Sequence, residues 1–194
     1  MRVTRLRLNQ RFVHSTTQGM KEARYCLLSR LGAIMFGLKK KSKIVELASP
    51  INGKMMSLGE VPDKVFASEM MGPGVAFISE DGNICSPCDG ELMTVFPTKH
   101  AIGIKAENGA EILIHFGIDT VQLEGSCFHQ KIEAGKKVKK GDLIMEADIE
   151  AIRKQGYKID TPMIITNADE FHITIHKGDA VTVNTDPVIS LEKK

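Results

Sequence analysis

The chain has 194 residues, 42% of them hydrophobic and 26% charged, enough apolar material for one ordinary core, and no apolar run approaches the roughly 20 residues of a membrane span. Four cysteines are too few for a disulfide scaffold at this length, so a reducing, cytoplasmic setting is expected. The formal net charge is only +2, and the scarcity of aromatics, 5% with no Trp, argues against a stacking surface for carbohydrate or single-stranded nucleic acid.

The charge is uneven along the chain. Residues 1–43 carry eleven Lys or Arg and the single acid Glu22, so the remainder is net acidic. The first 34 residues show no sustained apolar face, and "MFGLKKKSKIVELASP" opens at Met35 like a fresh start. Residues 1–43 therefore read as a basic N-terminal extension and 44–194 as the folded unit. Three readings compete for the extension. One is a disordered or wrongly included leader, another a membrane-surface tether in which each basic residue adds about 1 kcal/mol near an anionic leaflet. The third is an Arg-rich organellar transit peptide.

From Ile44 onward, short Val/Ile/Leu/Phe runs alternate with single glycines, a pattern of strands and turns. "SPINGKMM" at 49–56 is echoed by "SPCDGELM" at 86–93, an offset of 37 residues that hints at two related halves. "CSPC", with Cys85 and Cys88, has the spacing of a zinc knuckle but no second half, and both cysteines read as turn packing. "AGKKVKKGDLIMEAD" pairs a turn with a strand. "DIEAIRKQG" at 148–156 is the one convincing helical signal, with Asp148 to cap it and Gly156 to end it. "TPMIIT" and "AVTV" then close the sheet. An all-β architecture is expected, an antiparallel β-sandwich or partly closed barrel with one or two short helical turns.

Chemistry concentrates in "KHAIGIKAENGAEILIHFG", residues 99–117. Asn108-Gly109 signals a two-residue hairpin turn, since both central positions of a type I′ turn need positive φ. With that turn, Glu107 opposes Ala110 and Ile102 opposes His115. His100 becomes the diagonal neighbour of His115 on one face, about 7–8 Å away, and Thr98 joins them if the strand extends. A longer loop or a bulge would slip this register. A lone histidine in an apolar strand is more often a core residue; two that converge point to a site. Such a pair suits a zinc ion, with Asp119 as a third donor, or phosphoryl carriage, where a neutral imidazole is the nucleophile. His172 and His176 in "HITIH" stand about 13 Å apart on a strand, so they read as side chains of an edge or solvent face.

Several blocks resemble one family. "FPTKHAIGI", "ILIHFGIDTVQLEGSCF", "KKGDLIMEADIEAIRKQG" and "TPMIITN" look like the glucose-type IIA component of the bacterial phosphoenolpyruvate-dependent sugar phosphotransferase system, over about residues 44–189. The resemblance implies a duplicated β-sandwich, of the duplicated hybrid motif type, acting as a phosphotransferase component. In it His115 accepts a phosphoryl group on Nε2 from the carrier HPr and hands it to a cysteine of a IIB domain of a sugar permease. His100 would support the phosphorylated ring and Thr98 would hydrogen-bond within the pair. Val65, Phe66, Met70, Met71, Phe96, Leu113 and Val121 would form an apolar docking ring, with Asp63 and Asp119 on an acidic rim. Lys64 stands where the ring is usually apolar, and Gln122 where an acid is familiar. No cofactor is required, although His100 and His115 allow a regulatory zinc. The competing readings are a lysostaphin-like zinc metallopeptidase, since "HFGID" satisfies H-x-x-x-D; a lipoyl-like carrier, which lacks its hairpin lysine; and a mainly regulatory binding module.

Overall fold

The computed structural model describes residues 44–185 and 187–194. The expectations for residues 1–43, leader, tether or transit peptide, lie outside the described residues. Within them the strands are β1 (Val45–Ala48), β2 (Gly53–Ser57), β3 (Gly74–Ser79), β4 (Asn83–Cys85), β5 (Gly90–Val95), β6 (Ala101–Ala106), β7 (Glu111–His115), β8 (Phe128–Gln130), β9 (Lys136–Val138), β10 (Leu143–Ala147), β11 (Asp160–Ile165), β12 (Phe171–Ile175), β13 (Ala180–Val181) and β14 (Pro187–Lys193). Two short helices, α1 (Lys64–Ala67) and α2 (Ile149–Lys154), accompany them. Asp148 caps α2 by accepting from the Ala151 N–H at 2.9 Å, and Gly156 follows its end at φ 87°, as the sequence pattern predicts.

The strands build an antiparallel β-sandwich. One sheet has eight strands in the order β13-β2-β3-β11-β7-β6-β5-β9, and two three-stranded sheets run β1-β14-β12 and β4-β10-β8. The 37-residue echo is carried into the fold as matched bonds. The Ala48 N–H donates to the Pro87 carbonyl at 2.9 Å, and the Cys85 N–H returns a bond to the Pro50 carbonyl at 2.7 Å. Ser49 Oγ donates to the Ile51 carbonyl at 2.6 Å and Ser86 Oγ to the Cys88 carbonyl at 2.7 Å. In both halves the strand after this turn, β2 or β5, lies in the long sheet between a hairpin partner and a short edge strand. The turn and the strand that follows it are thus repeated within one core.

Side-chain alternation divides that core. Along β7, Ile112 and Ile114 are buried while Leu113 and His115 are half-buried on the other face. The inner set packs with Ile102, Ile104, Met163 and Ile165 and with the T-shaped pair Phe116–Phe128, whose ring centroids are 6.0 Å apart. Each fully buried phenylalanine contributes roughly 2–3 kcal/mol. The outer face carries a second cluster of Leu58, Val61, Phe66, Ala76, Ile118 and Ile164, much of it supplied by the long β2–β3 connection.

The β6–β7 hairpin corrects the expected register. Ala101, not Ile102, lies opposite His115, and the ladder runs through Ile102↔Ile114 to Lys105↔Glu111. The loop holds three residues, 107–109: the Ala106 N–H donates to the Ala110 carbonyl at 2.9 Å, and the Gly109 N–H folds back to the Ala106 carbonyl at 2.9 Å. Gly109 alone takes the left-handed conformation there, at φ 91°. Asn108 spends its side chain on the Ala110 N–H and the Leu191 carbonyl, so it anchors the loop instead of forming half of a two-residue turn.

Cys85 and Cys88 are buried and free, packed at the turn as expected. Burial, with nearby carboxylates, pushes their thiols up to about 11 and about 12, so they are poor nucleophiles and ligands. His172 and His176 lie on and just beyond β12, the edge of its sheet. His172 is exposed opposite Glu192, and His176 Nε2 meets Ser190 Oγ at 2.8 Å.

Candidate active site

His115 is the last residue of β7 and projects from the outer face. The chain then turns sharply: Gly117 sits at φ 74°, the Ile118 N–H donates to the Lys158 carbonyl at 3.0 Å, and Thr120 Oγ1 donates to the Phe116 carbonyl at 2.5 Å. The turn aims the Gly117 carbonyl at His115 Nδ1, 2.8 Å away. A carbonyl can only accept, so in the neutral ring Nδ1 carries the proton and Nε2 carries the lone pair.

His100 arrives by a different device. β6 begins one residue later, and before it Lys99 adopts a left-handed φ of 56° while its N–H donates to the Phe96 carbonyl at 2.7 Å. Strict alternation would put His100 with Ile102 on the inner face. Because it precedes the regular strand, its carbonyl accepts from the Phe116 N–H at 2.7 Å, yet its ring stands on the site side. The His100 and His115 centroids are 4.8 Å apart at an interplanar angle of 75°. Thr98 Oγ1 lies 2.6 Å from His100 Nδ1.

Both rings are held in apolar surroundings. The Phe66 ring of α1 meets His115 in a T-shaped contact with centroids 5.1 Å apart, and Phe96 meets His100 likewise at 5.6 Å. Burial is the main influence on both imidazoles and disfavours the charged form. It pushes His100 down to about 4, with the neighbouring His115 adding to the effect. His115 is lowered as well, against partial opposition from the Gly117 carbonyl and the carboxylates of Asp63 and Asp119. At neutral pH the site therefore holds two neutral rings, and in His115 the lone pair lies on Nε2.

The other expected residues divide into two groups. Val65, Met70, Met71, Phe96 and Val121 are exposed apolar side chains, whereas Phe66 is buried and Leu113 half-buried against the second cluster, so these two support the face from beneath. Asp63 caps α1 through Oδ1, which accepts from the N–H groups of Val65 at 2.8 Å and Phe66 at 3.2 Å. Asp119 precedes the 3-10 turn Thr120–Leu123 at φ 58° without a side-chain capping bond. Gly117, Thr120 and Gly125 escape a reading of residue types. The one available signal is that glycines follow His115 closely at points where the chain must turn.

Among the described residues no group of three or more His, Cys, Asp or Glu side chains is placed to hold a metal ion. Two imidazoles alone do not complete a tetrahedral zinc site, and the peptidase reading finds no third ligand at Asp119. Residues 45–171 match the model of the family described as phosphoenolpyruvate-dependent sugar phosphotransferase system, EIIA 1.

The chain belongs to this EIIA family. It is 43% identical over 161 residues to the glucose-specific EIIA component of Bacillus cereus, covering 82% of this chain and 98% of that one. It is 49% identical over 123 residues to the beta-glucoside-specific EIIBCA component of Bacillus subtilis, where the match spans 63% of this chain and 20% of that protein. Among solved structures, the glucose permease IIA from Mycoplasma capricolum superposes with a TM-score of 0.72 at 35% identity, over 76% of this chain and 96% of that one. An EIIA chain is a phosphotransferase component of a phosphoryl relay in sugar uptake, and the sandwich described above is the architecture of its solved relative. No helix among the described residues is long and apolar enough to cross a membrane.

Proposed function

We propose that His115 is the phosphoryl acceptor of this EIIA chain, and that Nε2 is the attacking atom. The observation that carries the reading is the Gly117 carbonyl at 2.8 Å from Nδ1, which leaves the lone pair on Nε2. Attack forms an N–P bond as the bond to the donor breaks, and the donor atom leaves with the electron pair. The new phosphoimidazole is cationic while Nδ1 keeps its proton. The Gly117 carbonyl, with the carboxylates of Asp63 and Asp119, stabilises that charge. His100 serves as a hydrogen-bond donor to the phosphoryl oxygens. When Thr98 donates to His100 Nδ1, the proton of that neutral ring sits on Nε2.

The donor is HPr and the acceptor a cysteine of a IIB domain, in a cytoplasmic relay. Supporting this, relatives of the domain are joined in one chain as EIICBA and EIIBCA components. The exposed ring of Val65, Met70, Met71, Phe96 and Val121 docks both partners in turn, and the acidic rim draws in a basic donor. Relatives named for glucose, glucosamine and beta-glucosides share this domain, so sugar choice belongs to the permease.

Incubation with phosphoenolpyruvate, the general kinase of the system and HPr should add one acid-labile phosphoryl group to the peptide that contains His115. An unmodified chain alongside phosphorylated HPr would sink this reading.

A further inference from the structure

We infer that Thr120 is a positioning residue for the phosphoryl-transfer histidine: its hydroxyl holds the Gly117 peptide in the one orientation that keeps His115 Nδ1 protonated and Nε2 free. The inference rests on the proposed role of His115 and extends it to a side chain whose hydroxyl bonds to the Phe116 carbonyl and not to an imidazole.

Four hydrogen bonds fix three consecutive peptide groups. In the first, the Phe116 N–H donates to the His100 carbonyl at 2.7 Å. Thr98 and the histidine pair are thereby tied to the same turn. In the second, Phe116–Gly117, the carbonyl accepts from Thr120 Oγ1 at 2.5 Å. In the Gly117–Ile118 peptide, the carbonyl accepts from His115 Nδ1 at 2.8 Å and the N–H donates to the Lys158 carbonyl at 3.0 Å. The hinge between the second and third of these peptides is Gly117, the residue with the least intrinsic resistance to rotation.

That hinge cannot be stiffened in the ordinary way. A Cβ at Gly117 would lie 2.5 Å from Thr120 Cγ2 and 2.7 Å from the Lys158 carbonyl oxygen, and φ is 74°, so no side chain fits. The missing restraint comes from Thr120, which is fully buried and has its hydroxyl committed to Phe116. Its methyl fills the space where a Cβ would be, and its hydroxyl clamps the far peptide. Releasing the clamp lets the Gly117 carbonyl swing from Nδ1 and frees the imidazole to exchange tautomers. A ring protonated on Nε2 has no lone pair there with which to attack.

The same loop reaches Thr98. Gly125, at φ 84°, lies so close that a Cβ would touch the Thr98 carbonyl at 3.4 Å.

The test compares Thr120→Val, which keeps shape and burial but loses the hydroxyl, with Thr120→Ser, which keeps the hydroxyl. Long-range proton–nitrogen NMR of the His115 ring should show Nδ1 protonated and Nε2 bare in the wild type. The Val variant should give averaged nitrogen shifts and an about tenfold loss in the rate of phosphoryl acceptance, and the Ser variant should recover both. A folded Val variant with the wild-type ring signature would overturn the inference, as would a Ser variant that behaves like Val. Should Val not fold, Thr120→Ala carries the same comparison. The wild type supplies a further check: a clamped, buried hydroxyl exchanges slowly with solvent, and fast exchange of the Thr120 hydroxyl proton would also overturn the inference. The ring signature is read without HPr, so its outcome is separate from whether His115 accepts a phosphoryl group at all.

Discussion

His100 and His115 stand in a T-shaped pair, with centroids 4.8 Å apart at 75°. The two imidazoles are brought together by unlike means: one ends a regular strand, and the other stands outside the strand beside it.

Removing each ring should have a different effect. His115→Ala is expected to abolish phosphoryl acceptance. His100→Gln keeps a hydrogen-bonding group and should leave acceptance from HPr within a few-fold, while slowing onward transfer by at least about tenfold. Single-turnover rates for each half-reaction separate the two. Unchanged onward transfer would remove His100 from the mechanism.

The pH dependence of stability follows from the depressed imidazoles. His100 titrates near 4 in the folded protein, against about 6.5 in an unfolded chain. Between these values the unfolded state binds more protons, so stability is full above about pH 6.5 and falls as pH drops toward 4. His115 is shifted in the same direction. Unfolding free energies from urea titrations should decline by about 2–3 kcal/mol across that window, and His100→Gln should remove much of the decline. A flat profile would mean that the rings are not held neutral.

Two glycines offer a matched pair. Gly117→Ala meets Thr120 Cγ2 at 2.5 Å and the Lys158 carbonyl at 2.7 Å, whereas Gly135, at the similar φ of 81°, has nothing within 4 Å of a new Cβ. Gly135→Ala should cost about 1 kcal/mol from backbone conformation alone, and Gly117→Ala roughly 3 kcal/mol. Equal losses in chemical denaturation would show that the Gly117 turn can relax.

Asp63 combines a cap with a charge, and two substitutions separate them. Asp63→Ala removes the acceptor for the Val65 and Phe66 N–H groups and should cost about 1 kcal/mol. Asp63→Asn keeps an acceptor oxygen at near-wild-type stability. Because the Asp63 carboxylate favours the protonated His115 ring, the Asn variant should titrate His115 at still lower pH by NMR. An upward shift would contradict the field assigned to Asp63.

The hairpin shows how far residue patterns reach. Alternation in "EILIH" correctly separates the buried Ile112 and Ile114 from Leu113 and His115. Asn108-Gly109 correctly marks the turn, but the choice between two and three loop residues depends on Asn108 reaching the distant Leu191 carbonyl. That one residue shifts every partner, and Ala101 replaces Ile102 opposite His115. His100 still meets His115 because Lys99 turns the chain before strand alternation begins.

By itself the sequence determined what local chemistry and repetition can encode: an all-β chain, two echoed halves, a capped helix at Asp148, and an imidazole pair within one family's motifs. The tertiary structure decided which atom of His115 is free, because the answer depends on a carbonyl orientation set by Gly117, Thr120 and Lys158. Lys158 lies far along the chain and meets the loop only after folding. Hydrogen bonds are directional and short-ranged, so a proton's position on one ring follows from contacts that residue spacing does not express.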